Sequence, residues 1–302
     1  MKKSDYLRLI INIKTVLSFL LVITSIITTA QQKTISLYEG KAPGSETWNW
    51  TEGEVLAGPP MNAMIAYNVT NPSLVVYEPE TANGVAVILV PGGSYHVLNV
   101  EHEGSKIAQH LNKKGITVFL FKYRLAQSFT NDPWEEMMEA RKDSEKLREK
   151  MKQPRMMAIA DLNRAISMVR KHASDYKVDK DKIGIMGFSA GGFLVANVAY
   201  NFIPDARPDF IAPIYSVITS IEKRTVQTDA PPLFIAAATD DALAPVSNSV
   251  ELYNDWIKAK KSAELHLYAK GGHGLRGSPV ATTWIDRFVE WLHAQGFMNP
   301  KP

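Results

Sequence analysis

The chain of 302 residues contains no cysteine. Disulfide bonds are therefore excluded, and so is lipidation of a cysteine behind the amino-terminal apolar segment. Internal repeats and low-complexity tracts are absent as well. We expect a protein that tolerates an oxidising compartment without depending on one.

The sequence also lacks an excess of either charge once its first 30 residues are set aside. The whole chain has 34 Lys and Arg against 31 Asp and Glu, and residues 1–30 hold four basic residues and one acidic residue. The other 272 residues therefore carry 30 basic and 30 acidic side chains. Without a basic surplus, nucleic acid is not an expected partner. This length, with 45% hydrophobic residues in the chain, suits one large α/β domain over residues 31–302.

An apolar segment at residues 15–30 follows the four basic residues near the amino terminus. Its core, residues 16–27, is shorter than the ~20 residues that span a bilayer, which argues against a permanent anchor. Residues 1–30 are therefore predicted to be a secretory signal peptide. A secreted or periplasmic protein follows, with no stable membrane anchor after cleavage. The next stretch, residues 31–60, has no periodicity and is expected to be the most flexible part.

The clearest chemical signal is a serine between two glycines at a junction of strand and helix. Residues 187–191 have the pattern G-x-S-x-G, behind an apolar run and ahead of a stretch with helical character. In such a nucleophile elbow the serine backbone is strained. A side chain at Gly187 or Gly191 would collide with the elements that the turn joins. Ser189 is therefore the predicted nucleophile.

Chain order selects one histidine as the base, because in this arrangement the acid and then the histidine follow the serine. His293 lies in the predicted last helix and His266 inside a strand. His273 lies in a glycine loop between the last strand and the last helix, and it is the predicted base. Four histidines precede Ser189 and fail the order: His96, His102, His110 and His172.

The acid is expected in the loop after the apolar strand at residues 233–238. Two neighbours, Asp240 and Asp241, are available there, and adjacent loop residues point in different directions. We choose Asp241 and keep Asp240 as the alternative, with a role as a local turn residue for the other carboxylate. A calcium site is a weak third interpretation, since the loop lacks further oxygen ligands. No metal and no cofactor are expected.

A glycine turn after the strand at residues 85–90 matches the oxyanion loop of esterases. The backbone N–H of Gly93 or Ser94, together with that of Ala190, is predicted to stabilise the oxyanion. Tyr95 follows in the same turn. Its ring either narrows the acyl site, which favours acetyl esters, or packs into the core. The alternative for the whole turn is a structural role that only redirects the chain.

Segments spread over most of the chain together resemble a known family. They are Pro91-Gly92-Gly93-Ser94-Tyr95, His102-Glu103-Gly104, Tyr123-Arg124-Leu125, Asp161 with Arg164-Ala165, Val169-Arg170, residues 187–192, residues 241–245 and residues 271–274. They resemble the secreted bacterial α/β-hydrolases grouped with acetyl xylan esterases. The resemblance implies the α/β-hydrolase fold, a carbohydrate ester as substrate, and Ser189, Asp241 and His273 as nucleophile, acid and base. Asp161 and Arg164 are interpreted as a structural ion pair or a solvated helix face.

The coarse pattern of strands and helices agrees with that fold. Strands alternate with helices from residue 64 onward, which predicts an α/β protein with a mostly parallel twisted sheet and helices on both faces. A charged insert near residues 127–157, without Gly, is expected to be one exposed helix. It either caps the active-site cleft or forms a solvated surface, although Trp134, Met137, Met138 and Met151 offer a docking face.

These observations predict a secreted serine carboxylesterase that deacetylates a plant-type polysaccharide or oligosaccharide through an acyl-enzyme. Alternatives within the enzymes are a feruloyl esterase, a broad-specificity esterase or lipase, and a serine peptidase. Outside the enzymes, the alternative is a carbohydrate-binding pseudo-hydrolase, against which the filled triad positions argue. The sugar as substrate follows from the resemblance alone, since a fold does not determine a substrate.

Overall fold

The structure is a computed structural model that describes residues 32–298. The predicted signal peptide, residues 1–30, lies outside this range. None of the helices within the range combines the length and apolarity that a bilayer crossing needs. The strands are β1 (Thr34–Ser36), β2 (Gly53–Ala57), β3 (Ala63–Tyr67), β4 (Ser73–Tyr77), β5 (Ala86–Val90), β6 (Val97–Leu98), β7 (Thr117–Lys122), β8 (Ile183–Phe188), β9 (Phe210–Ile214), β10 (Leu233–Ala238) and β11 (Ala263–Tyr268).

Eight strands form the central sheet, in the order β1-β4-β7-β5-β8-β9-β10-β11. The six strands from β7 to β11 in that order pair in parallel, and β4 and β1 add an antiparallel edge. Strands β5, β8 and β10 are buried at every position, so both faces of the sheet centre are covered. The predicted mostly parallel sheet flanked by helices is confirmed. A small antiparallel sheet, β2-β3-β6, stands beside it.

The helices between the strands supply the layers around this sheet. A π-helical turn, Glu101–Ser105, leads into the first of them. They are α1 (Lys106–Asn112), α2 (Pro133–Ala140), α3 (Ser144–Lys150), α4 (Lys152–Lys171), α5 (Ala190–Asn201), α6 (Ser247–Lys258) and α7 (Trp284–Ala294).

Two strands form in the amino-terminal stretch that the sequence predicts to be the most flexible. Strand β1 pairs with β4, and β2 pairs with β3. Both strands are largely exposed or half-buried along their length, so they carry little hydrophobic pattern. The partners of β1 lie 37 to 41 residues away in the chain, and no local pattern reveals such pairing. The partners of β2 lie only 6 to 14 residues away, in a hairpin whose first strand has a weak hydrophobic pattern.

The charged insert forms two helices, α2 and α3, so the expectation of one exposed helix is wrong. Asp143 interrupts the helical backbone, and its carboxylate accepts a hydrogen bond from the N–H of Lys146 at 3.0 Å. This is an ordinary N-cap, which starts a new helix rather than continuing the old one. Trp134 and Met137 are buried in the small cluster on β2, β3 and β6. The first helix therefore docks on the small sheet.

Asp161 is a structural ion-pair residue, but its partner is Arg124 and not Arg164. Arg124 donates from Nε and Nη2 to the two carboxylate oxygens at 2.7 and 2.8 Å, and Tyr38 donates its hydroxyl at 2.8 Å. Asp161 and Arg124 are buried. The guanidinium of Arg164 instead lies over the Tyr38 ring, 4.5 Å from its centroid. A buried pair needs such additional hydrogen bonds to offset its desolvation.

Candidate active site

The serine elbow has the strained geometry that the sequence predicts. Ser189 joins β8 to α5 with φ 51° and ψ −115°, a backbone conformation that residues other than glycine rarely adopt. A Cβ atom at Gly187 would collide with the carbonyl oxygen of Gly191, and one at Gly191 would collide with that of Val90. The predicted need for both glycines is confirmed. The turn presents the Ser189 hydroxyl at the carboxyl end of the sheet.

The structure brings Ser189, His273 and Asp241 together. His273 Nε2 lies 2.9 Å from Ser189 Oγ, and its Nδ1 lies 2.8 Å from Asp241 Oδ2. An ionised carboxylate only accepts hydrogen bonds, so Nδ1 carries the proton in this arrangement. Nε2 is then the acceptor for the Ser189 hydroxyl. In this state the imidazole is ready to take a proton from the serine.

Asp241 is held as a carboxylate. It is 6% exposed, and its Oδ1 accepts hydrogen bonds from the N–H groups of Leu243 at 2.8 Å and Ala244 at 2.9 Å. Burial opposes ionisation, but the hydrogen bonds from His273 and the two N–H groups outweigh it and lower the Asp241 pKa below its ordinary value. The charge that orients the imidazole is therefore retained well into acid.

Asp240, the alternative acid, binds the backbone of the loop that carries His273 and not the imidazole. Its Oδ1 accepts hydrogen bonds from the N–H groups of Gly271 at 3.0 Å and Gly272 at 2.8 Å. Lys270 Nζ lies 3.8 Å from its other oxygen. Asp240 therefore ties down the loop that carries His273, without contacting the imidazole by a hydrogen bond.

The predicted oxyanion turn lies beside the serine. Gly93 has φ 134°, and a Cβ atom there would collide with the carbonyl oxygen of Val97, so glycine is required. Ser94 and Tyr95 also have positive φ, 55° and 61°. Ala190 is the first residue of α5. Within residues 32–298 no hydrogen-bond acceptor pairs with the N–H groups of Gly93, Ser94 or Ala190, which leaves them available to a ligand.

Glu103 and Tyr215 belong to the site, and sequence reasoning assigned no role to either. Glu103 Oε2 accepts a hydrogen bond from the Gly92 N–H at 2.6 Å, and its Oε1 accepts one from the Tyr215 hydroxyl at 3.0 Å. The Tyr215 ring stands edge-on to His273, with centroids 5.1 Å apart. Burial raises the Glu103 pKa above its ordinary value, against the opposing effect of the Gly92 hydrogen bond. In the sequence, Glu103 stands out only as part of the His102-Glu103-Gly104 segment, which contributes to the family resemblance but indicates no role for the residue.

A cavity of about 370 Å³ opens at Ser189. Tyr95 lines it and is 8% exposed, and its hydroxyl donates to the Ala190 carbonyl at 3.1 Å. The sequence predicts that Tyr95 either narrows the acyl site or packs into the core. Its ring does pack in the core, and it also lines the cavity. The remaining lining residues are Ser94, Arg141, Leu147, Arg148, Met151, Arg155, Ala190, Phe193, Val217, Ser220 and Leu243.

A second cavity lies apart from the three residues of this site. A larger cavity, about 830 Å³, is lined by residues of the charged insert and by none of the three residues Ser189, His273 and Asp241. In the part of the chain that the structure describes, no three His, Asp or Glu side chains are grouped so as to hold a metal ion.

Sequence comparisons find relatives among enzymes of xylan breakdown. A family model described as BD-FAE matches residues 146–203, which include Ser189. An acetylxylan esterase of Xylanibacter ruminicola is 27% identical over 231 residues, which are 67% of this chain and 43% of that protein. Endo-1,4-beta-xylanase B of Butyrivibrio fibrisolvens is 28% identical over 227 residues, 63% of this chain and 32% of that protein. The chain spans less than half the length of either relative.

Solved structures share the fold. An acetyl ester-xyloside bifunctional hydrolase from Caldicellulosiruptor lactoaceticus superimposes with a TM-score of 0.64 at 24% identity, covering 89% of this chain and 98% of that one. A propionate-bound esterase from Thermogutta terrifontis gives a TM-score of 0.61 at 20% identity, covering 81% and 98%. The chain therefore has the α/β-hydrolase fold, as predicted.

Proposed function

We propose that this chain, an α/β-hydrolase related to the acetyl xylan esterases, is a serine carboxylesterase that removes acetyl groups from a plant-type polysaccharide. The observation that carries the proposal is the hydrogen-bonded series from Asp241 through His273 to Ser189. A serine hydroxyl is a weak nucleophile by itself, and a base in hydrogen-bond contact with it is what activates it. The nucleophile, the base and the acid that the reaction needs all belong to the chain.

The acylation step uses these three residues in sequence. As Ser189 Oγ attacks the acetyl carbonyl carbon, its proton passes to His273 Nε2. Asp241 stabilises the imidazolium that forms, because its carboxylate accepts the Nδ1 hydrogen bond. When the tetrahedral intermediate collapses, the bond to the sugar oxygen breaks and His273 returns the proton to that oxygen. The acetyl group then remains on Ser189.

The backbone turn beside the serine stabilises the charge that develops in this step. The N–H of Ala190, with that of Gly93 or Ser94, hydrogen-bonds to the oxyanion. Positive φ angles at Gly93 and Ser94 fix the direction of these groups before substrate arrives, which removes a reorganisation cost. In the second step water attacks the acetyl carbon as His273 takes its proton; the bond to Ser189 Oγ then breaks, His273 returns the proton to Oγ, and acetate leaves.

The acetylated polysaccharide or oligosaccharide as substrate is supported by the relatives, of which one is an acetylxylan esterase and another an acetyl ester-xyloside hydrolase. A polymeric substrate fits the secreted or periplasmic location that residues 1–30 predict. An open cavity at Ser189 leaves room for a sugar beside the acetyl group.

The test combines a covalent probe with a product measurement. A fluorophosphonate should label the protein at Ser189, as mapped by peptide mass spectrometry, and should abolish release of acetate from acetylated xylan in proportion to labelling. An unlabelled protein, or a labelled one that releases no acetate while it hydrolyses feruloyl or long-chain esters, would contradict the proposal. The first result would favour the pseudo-hydrolase and the second another esterase.

A further inference from the structure

Arg141 reaches the cavity at Ser189 without a carboxylate partner. It donates hydrogen bonds from Nε and Nη2 to the Ser94 hydroxyl oxygen, at 3.3 and 3.0 Å. In residues 32–298 no Asp or Glu oxygen forms an ion pair with it. Burial lowers the Arg141 pKa below its ordinary value, and no neighbouring charge compensates. An arginine nevertheless stays charged at working pH, so a partly desolvated cation faces the cavity.

Arg155 adds a second cation to the same cavity. Its Nη1 donates to the Ser220 hydroxyl oxygen at 3.3 Å, and its guanidinium lies over the Phe193 ring, 5.2 Å from the centroid. Among the described residues no Asp or Glu forms an ion pair with it. Arg148 lies at the same cavity but is exposed, and its partner is Glu145 at 3.9 Å.

The lining of the cavity has no negative charge to balance these cations. Its residues comprise three arginines and neither Asp nor Glu. Elsewhere arginines of this chain do take carboxylate partners, as Arg170 does with Asp209 and Arg224 with Glu251. Cations that are partly removed from water without a counter-charge cost free energy. A ligand with a negative charge would remove that cost and form charge-assisted hydrogen bonds with the planar guanidinium groups.

We propose that the cavity binds a carboxylate of the substrate, held by Arg141 and Arg155 beside the scissile ester. The proposal rests on the esterase function and makes it narrower. The carboxylate comes from one of two sources, a uronic acid on the acetylated oligosaccharide or the free end of a dicarboxylic acyl group. Both present the same planar anion, for which paired guanidinium groups are suited.

The experiment compares matched substrates with and without the carboxylate. One arm uses an acetylated xylo-oligosaccharide that carries glucuronic acid, against the same oligosaccharide after reduction of its carboxyl to an alcohol. The other arm uses the nitrophenyl half-ester of succinate against nitrophenyl butyrate. We expect kcat/KM to be about ten-fold or more higher for the anionic member of one arm, as a hydrogen bond to a charged group supports. The arm that shows it identifies the source.

Variants assign the preference to the two arginines. Arg141→Gln and Arg155→Gln should each lower it by about ten-fold, and Arg141→Lys should retain part of it. Arg287→Gln, on α7 and outside the lining, is the matched control and should keep the full preference. Arg155→Gln also protects the test from a folding defect in the Arg141 variant, and competitive inhibition by the free uronic acid reports binding without turnover.

The outcomes separate this inference from the function on which it rests. Equal kcat/KM within both pairs, or a preference that survives both glutamine substitutions, overturns the carboxylate site while the esterase function stands. Absence of hydrolysis for all four substrates overturns the esterase function and the site together.

Discussion

Asp240 and Asp241 are neighbours in the chain, yet their carboxylates bind different groups of the loop that carries His273. Asp241 accepts a hydrogen bond from the imidazole, whereas Asp240 accepts hydrogen bonds from the N–H groups of Gly271 and Gly272. One carboxylate therefore orients the ring and the other holds its backbone. The difference gives two adjacent substitutions very different expected effects.

Asp241→Asn should lower kcat on nitrophenyl acetate by about 10³-fold to 10⁴-fold near neutral pH, because the amide no longer favours the correct imidazole tautomer. Asp240→Asn should cost less than about ten-fold, since its remaining carbonyl oxygen still accepts both N–H groups. Steady-state kinetics of the two variants, prepared side by side, measures the ranking. The reverse ranking would transfer the role of the acid to Asp240.

Glu103 is expected to act as a positioning residue for the oxyanion turn and for Tyr215. Glu103→Ala removes both acceptor oxygens, so the Gly92 N–H and the Tyr215 hydroxyl lose their shared partner. We expect kcat to fall about ten-fold or more, with KM little changed, since the turn acts on the oxyanion and not on ground-state substrate. Tyr215→Phe, which keeps the ring against His273, is the milder control. A rise in KM alone would contradict this role.

His96 should make the fold sensitive to acid. Its side chain is fully buried, both ring nitrogens lack a hydrogen-bond partner within the described residues, and Nε2 lies 3.5 Å from Glu136 Oε1. Burial, then the charge of Lys150, lower its pKa to about 4, against the opposing charge of Glu136. In the unfolded chain His96 therefore takes up a proton at about pH 6.5, whereas in the folded chain it does so only at about pH 4. Above about pH 6.5 the neutral His96 costs the fold nothing, and the free energy of unfolding decreases as the pH falls from there to about pH 4.

The difference is measurable by urea unfolding at two pH values. Between about pH 7 and pH 4.5 the free energy of unfolding of the wild type should fall about 2 kcal/mol more than that of His96→Gln. His172→Gln, at a half-exposed histidine paired with Asp175, is the control for the effect of a histidine substitution itself. Equal pH dependence in the wild type and His96→Gln would show that His96 is protonated in the fold without cost.

Acyl length should be discriminated, because Tyr95 and Phe193 line the cavity beside Ser189. We expect kcat/KM for nitrophenyl esters to fall from acetyl to butyryl and again to octanoyl, with each unfavourable methylene raising the barrier by about 1–3 kcal/mol. A series of esters with rising chain length measures this. Octanoyl esters turned over as well as acetyl ones would favour a broad esterase or lipase.

The sequence predicts the parts of this molecule that local chemistry determines. The elbow at Ser189 is readable because a serine between two glycines at a strand-to-helix junction is a local pattern, and the glycine loop at His273 is readable from chain order. Glu103 and Tyr215 are 112 residues apart, so only the fold brings them into contact. The same holds for β1, whose weak hydrophobic pattern gains meaning only from its pairing with β4.

The choice between Asp240 and Asp241 shows the same limit on a smaller scale. Both residues have the chemistry of a triad acid, and their separation in the chain is too small for any pattern to distinguish them. The direction of each side chain depends on the loop backbone and on the N–H groups nearby, including those of Leu243 and Gly272. Arg141 and Arg155 both line the cavity for a similar reason, since the fold brings the end of α2 and the start of α4 to it.

The nucleophilic role of Ser189 is the centre of this account, and the kcat of Ser189→Ala on nitrophenyl acetate tests it most directly. Alanine fits the same backbone turn, so circular dichroism and the urea midpoint should match those of the wild type. We expect a loss of at least ~10³-fold in kcat, which leaves only the contribution of binding and of the oxyanion N–H groups. A folded Ser189→Ala protein with turnover within ten-fold of the wild type would contradict it.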